Sequence, residues 1–298
     1  MESDFSDFGD LPNGIEDLDL VAHGGGFTVA ASFDAPEKAL RDLKAVALAH
    51  QFGLASVDYT RRTFVDPYSH LAPPLHPTRA VAVEITGVAN ELVRDVIART
   101  LKIGHKPDHP GMFASGAAMV RLPTTFRLAT LVVRQGFHFE CAVLCRMILE
   151  QLAWSVAVRP LTDETIFSFE PHRCIGALKR IFPRAGSLYG QLSEAAHIVP
   201  RRTLRYIEFN RGDLRGPSVT LMSFDFAEVD ACVVLLLADM YAVVCEVIYY
   251  DILPKHAHAE RGADGTWRPL AGRPGAELLN RYLPSSDRGE PTPDPAAA

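Results

Sequence analysis

The chain has 298 residues, 48% of them hydrophobic and 22% charged, which suffices for one large or two small globular domains and excludes a wholly disordered chain. The formal charge of −6 sits at the ends. Residues 1–26 hold seven of the 36 acids and no Lys or Arg, and residues 284–298 hold three acids against Arg288. The body between them therefore carries 26 acids against 29 Lys/Arg. The first twenty residues are acidic and lack an apolar stretch, so no secretory signal is expected. The five cysteines (Cys141, Cys145, Cys174, Cys232, Cys245) fall in apolar, helix-like segments, as reduced thiols of a cytoplasmic protein would.

In chain order, residues 1–26 read as a disordered acidic tail, with Pro12, Gly14 and the run Gly24–Gly26. Residues 27–33 suit a short strand. Asp34 as N-cap and Glu37 three residues later predict a helix that runs to about Gly53. Residues 54–78 are loop-like, with Pro67, Pro73, Pro74 and Pro77. A second helix fits residues 78–104, stopped at Gly104 and by the Pro-rich residues that follow.

The longest expected helix covers Thr124 to Val158 and ends before Pro160. A fourth begins near Pro171 and stops before Pro183, and a fifth occupies residues 186–197. Short strand-like runs around a Gly-rich turn in 203–224 predict an inserted β-hairpin. A sixth helix covers about 225–252. Its core, residues 231–250, is apolar enough to raise a membrane span, but Asp239 and Glu246 interrupt it and favour a core helix with one polar edge and no membrane. The fold expected is mainly α: a helical bundle of five to six helices with a small β-hairpin, as one domain over 27–254. Residues 255–298, rich in Pro and Gly, read as a loosely structured tail, with His256 and His258 expected at its surface.

On the 124–158 helix, Arg146 and Glu150 stand at i and i+4, on a segment apolar nearly all round. A buried or half-buried ion pair needs further hydrogen bonds from a neighbouring helix. Residues 186–197, Gly-Ser-Leu-Tyr-Gly-Gln-Leu-Ser-Glu-Ala-Ala-His, supply them at fourfold spacing: Tyr189, Ser193 and His197, a phenol, a hydroxyl and an imidazole. A polar clamp that fixes helix register and a ligand or catalytic site both fit this pattern. In the same helix Arg127, Arg134, His138, Cys141 and Cys145 share another stripe. Three ligands on one straight helical face cannot converge tetrahedrally on zinc, so the cysteines are expected as core, with Arg134 and His138 nearer solvent and no metal.

The Arg-x-x-x-Glu helix followed by a Tyr-x-x-Leu-Ser-x-x-x-His helix resembles a pattern in uncharacterised bacterial families grouped near the HEPN-like helical bundles. The resemblance covers about 80–255 and rests on Arg146, Glu150, Tyr189, Ser193 and His197. It implies a helical protein of a bacterial defence, stress or toxin–antitoxin setting, with catalysis left open. A ribonuclease alternative uses His197 as the acid–base group, with Arg146 or an arginine of the hairpin (Arg201, Arg202, Arg205) against phosphate. The Arg99-to-His105 spacing also matches the HEPN ribonuclease pattern, as so many Arg and His allow by chance. Residues 173–215 carry nine Lys/Arg against Glu194, Glu208 and Asp213, which suits RNA or another anionic ligand as readily as a solvated surface. A small-ligand sensor with its pocket between the 124–158 and 186–198 helices, and a homodimeric interaction protein, are the further readings. No cofactor motif is present.

Overall fold

The computed structural model describes residues 18–24, 27–32, 35–67, 77–102, 108–197, 207–208, 218–219 and 224–282. The protein is mainly helical, with short two-stranded antiparallel pairs attached. At the N-terminal end β1 (Leu18–Gly24) pairs with β2 (Phe27–Ser32), so part of the expected acidic tail is a strand. Helix α1 (Glu37–Phe52) follows. Pro36 occupies the capping position without a side-chain bond, and Asp34 lies outside the described residues. Gly53 closes α1 in the left-handed conformation, at φ 62°. The expected loop after it holds a short helix, α2 (Val57–Thr60), capped by Ser56 and continued as a π-turn over Arg61–Val65.

The bundle proper consists of α3 (Pro77–Leu101), α4 (Pro110–Arg134), α5 (His138–Val158), α6 (Ile175–Lys179), α7 (Ala185–Ala196) and α8 (Ala227–Tyr249). Helix α8 is the axis, with α3, α4 and α5 packed round it. Leu235, Leu237, Tyr241, Val244 and Ile248 lie fully or almost fully out of solvent in one core with Ile85, Phe126, Ile148 and Leu152. By length and composition alone α5 and α8 are apolar enough to cross a membrane; in the fold α8 spends that apolarity on its helical neighbours. All five cysteines are free and buried, and burial pushes the thiols of Cys232 and Cys245 up to about 11.

The single helix expected over 124–158 is in fact the end of α4 and all of α5. Gly136, at φ 76°, lets the chain turn between them, and the amide of Phe137 reaches back to the carbonyl of Val132. Helix α4 also starts fourteen residues earlier than Thr124, at Pro110, with Pro123 inside it. Proline there cannot donate to the carbonyl of Met119. The buried Tyr241 hydroxyl of α8 donates to that carbonyl instead, at 3.1 Å. A tertiary contact thus replaces the bond that proline removes. The fourth expected helix is a 3₁₀ turn at Pro171–Cys174 followed by α6.

Arg134 is buried rather than near solvent; its Nε donates to Thr86 Oγ1 of α3. His138 is likewise mostly covered, and its Nδ1 pairs with the Asp230 carboxylate at 2.8 Å, joining the N-terminal ends of α5 and α8. Of the expected inserted hairpin, the described part is β3 (Ile207–Glu208) paired with β4 (Ser218–Val219).

Residues 255–282 are also built into the fold rather than loosely attached. Strands β5 (Ala259–Arg261) and β6 (Trp267–Pro269) form a hairpin, and α9 (Pro274–Tyr282) packs on α8. Two carboxylates of α8 hold this segment. Glu246 accepts from the backbone amides of Ala257, His258 and Ala259. Asp239, with no exposed surface, is gripped from two nitrogens by Arg273, at 2.7–3.2 Å. Gly275 approaches Asp239 so closely that any side chain there would collide with it. The polar edge expected on α8 is therefore an internal anchor. His258, expected at the surface, is buried, and its Nε2 meets Arg99 Nη2 at 2.9 Å.

Candidate functional site

Helices α5 and α7 pack against each other and bring four of the five nominated side chains into one network. Arg146 is its hub. Nε donates to Glu150 Oε1 at 2.9 Å, Nη2 to the Tyr189 hydroxyl at 3.1 Å, and Nη1 to His197 Nε2 at 3.1 Å. The Tyr189 hydroxyl in turn donates to Glu150 Oε1 at 3.1 Å, which closes a triangle. The guanidinium carbon also stands 5.2 Å from the centre of the Tyr189 ring, within cation–π range. The i, i+4 spacing on α5 places the ion pair, and the matching spacing on α7 aims phenol and imidazole at it.

A guanidinium only donates, so His197 Nε2 is an acceptor in this contact and the proton of the neutral ring sits on Nδ1. His197 ends α7. Its amide still bonds the carbonyl of Ser193, but its backbone is extended (φ −89°, ψ 139°), and the imidazole is left exposed at the helix end. Arg146 and Glu150 are half-buried, with side chains 25% and 20% exposed. Burial works against the Arg146 charge, but the bonds and charges of Glu150 and Tyr189 outweigh it and hold the guanidinium above its ordinary pKa. Among the described residues three of its five N–H groups are engaged, and the other two are available to a further acceptor.

Ser193 shares the α7 face but not the network. Its hydroxyl is buried without a hydrogen-bond partner among the described residues. Arg201, Arg202 and Arg205 lie outside the described residues, as does His105 of the Arg99-to-His105 spacing. Among the described residues no group of three or more His, Cys, Asp or Glu is placed to hold a metal ion. The two described clefts are lined by other residues than these five, along the C-terminal half of α5.

Sequence reasoning missed the polar contacts that secure residues 255–282: Glu246 with three amides, Asp239 with Arg273, and Arg99 with His258. The signal was there, because two acids within an apolar helix require partners. The partners of the acids lie 11 to 34 residues further along the chain, and Arg99 lies 159 residues before His258. Compared with family models, curated proteins and solved structures, the chain matches none.

Proposed function

We propose that the protein is an HEPN-like helical bundle directed at RNA in a bacterial stress or defence setting, in the cytoplasm, with the α5–α7 network as its site. The observation that carries this reading is the exposed His197 imidazole, whose Nε2 lies 3.1 Å from a guanidinium fixed by Glu150 and Tyr189. Such a pair offers a phosphodiester a positive charge with two uncommitted N–H groups, and an imidazole nitrogen that can take up and return a proton. On binding, a phosphate oxygen draws Nη1 of Arg146 away from His197 and frees Nε2 as the base. The ribose 2′-hydroxyl gives its proton to Nε2 and attacks phosphorus; the bond to the 5′-oxygen breaks, and that oxygen takes the proton back from the imidazolium. The products are a 2′,3′-cyclic phosphate and a 5′-hydroxyl. The basic run of 173–215 supports the choice of an anionic polymer.

The test is cleavage of a labelled single-stranded RNA by the wild type and by His197→Ala. The reading expects activity that falls by about 10²-fold or more in the variant, with an unchanged circular dichroism spectrum. Equal activity in both proteins, or none in the wild type, overturns it. The closed triangle of Arg146, Glu150 and Tyr189 favours a second reading, a clamp between α5 and α7 without chemistry. A clamp predicts that Tyr189→Phe lowers stability while no RNA is cleaved by any variant.

A further inference from the structure

Two clefts open along the last turns of α5, and they share Ala157, Ala177 and Arg180 as lining. One, of about 610 Å³, is bounded by Ser168, Phe169, Glu170, Arg173 and α6. The other, of about 350 Å³, lies between the ends of α5, α6 and α8 and the turn of the C-terminal hairpin. Its apolar lining includes Val156, Ile181 and Val247, the last two almost wholly out of solvent, together with Trp267. Its charged groups are Arg159, Arg180 and Asp264.

These charges are not equivalent. Arg159 is committed, through Nε to the carbonyl of Ile248 and through Nη2 to Asp251. Arg173 of the wider cleft is likewise tied to Glu170 at 2.8 Å. The Arg180 guanidinium makes no hydrogen bond or ion pair with any described residue, and Arg180 lines both clefts. Asp264 turns one oxygen on its own loop, where Oδ1 accepts from the amide and hydroxyl of Thr266, and these bonds hold its carboxyl below the usual range. It is therefore a fixed anion whose second oxygen has no described donor. The site offers one uncommitted cation, one oriented acceptor, an indole and an apolar floor. Its volume sits at the small end of ligand pockets and exceeds what a lone amino acid or an inorganic anion fills.

We propose that this cleft is a binding site for a nucleoside monophosphate or a phosphate ester of that size. Arg180 takes the phosphate, the apolar lining and Trp267 take the ring system, and Asp264 accepts from an exocyclic amino or ring N–H group. The inference is independent of the RNA reading, because neither Arg146 nor His197 lines the cleft.

The test uses the full chain. The protein has two tryptophans, so Trp154→Phe leaves Trp267 as the sole indole reporter. Titration of that protein with 5′-AMP, 5′-GMP, adenosine and inorganic phosphate, read by indole fluorescence and thermal shift, is expected to give saturable binding for the nucleotides. Adenosine and phosphate alone bind far more weakly. Arg180→Gln weakens nucleotide binding by at least about tenfold, the loss of one charge-assisted hydrogen bond, and Arg180 has no described structural partner to lose. Four results overturn the proposal: no saturable signal at millimolar nucleotide, phosphate as tight as the nucleotides, binding indifferent to Arg180→Gln, or tighter binding in Asp264→Asn.

Discussion

Tyr241→Phe removes a single oxygen from the centre of the bundle, and its effect depends on a residue 118 positions earlier in the chain. The Tyr241 hydroxyl donates to the carbonyl of Met119, which Pro123 has deprived of its ordinary helical donor. Both Tyr241 and Met119 are fully buried, so no water replaces the lost donor. An orphaned buried carbonyl costs about 1–3 kcal/mol, and the phenyl ring keeps its packing against Phe126, whose centroid lies 5.7 Å away. In a Pro123→Ala background the helix can supply its own amide to Met119. The Tyr241→Phe penalty should then shrink to about half a kcal/mol or less. Urea denaturation of the four proteins, wild type, both single variants and the double, gives the coupling directly. A coupling of about 1–2 kcal/mol is expected. Penalties that add within about 0.5 kcal/mol would refute the idea that the tyrosine compensates for the proline.

Arg273→Ala strands the Asp239 carboxylate in a site with no solvent, and should lower stability by about 3–5 kcal/mol, with faster amide exchange across residues 255–282; unchanged exchange there would show that the ion pair does not hold the segment. Gly136→Ala forces a left-handed conformation on a residue with a Cβ and should cost about 1–2 kcal/mol, read as a lower urea midpoint. His258 is pushed below its ordinary value of 6.5 by burial, with Arg99 and Arg273 adding to the shift and Glu246 and Asp239 opposing it. A buried histidine of depressed pKa must stay neutral to fold, so its contribution is whole above about 6.5 and is lost as pH falls through the folded value. Stability should therefore fall on acidification below pH 6.5, and a flat response would contradict the burial of a neutral His258. Asp230, whose carboxyl burial raises above 3.8, acts with the opposite sign: it favours the fold at low pH and loses that contribution as pH rises through its folded pKa.

The contact of Arg146 and Glu150 with Tyr189 and His197 was legible because its information is local. Arg146 and Glu150 lie one turn apart, as do Tyr189, Ser193 and His197, and a charged pair on an apolar helix asks for partners of that chemistry. Ser193 was nominated on the same spacing and stands apart, since period alone fixes a face and not a hydrogen bond. The helical class was legible from apolar periodicity for the same reason. The errors are where a tertiary contact or a single turn residue decides. The helix expected from Thr124 begins at Pro110, with Pro123 inside it, where Tyr241 serves the orphaned carbonyl. Residues 124–158 read as one helix because apolar side chains run through the turn, and one glycine of positive φ carries the break. The Pro and Gly content of 255–282 reads as a loose tail until Asp239 and Glu246 are given the partners they require.

The central claim is that His197, presented by Arg146, does proton chemistry on RNA rather than merely tying α7 to α5. The direct measurement sets His197→Ala beside Tyr189→Phe and records both cleavage rate and unfolding free energy for each. The account predicts that His197→Ala abolishes formation of 2′,3′-cyclic phosphate ends while its stability stays within about 0.5 kcal/mol of wild type. Tyr189→Phe, which loses two hydrogen bonds of the triangle, loses about 1–2 kcal/mol of stability and keeps part of the rate. Cyclic-phosphate ends formed at the wild-type rate by folded His197→Ala would contradict it.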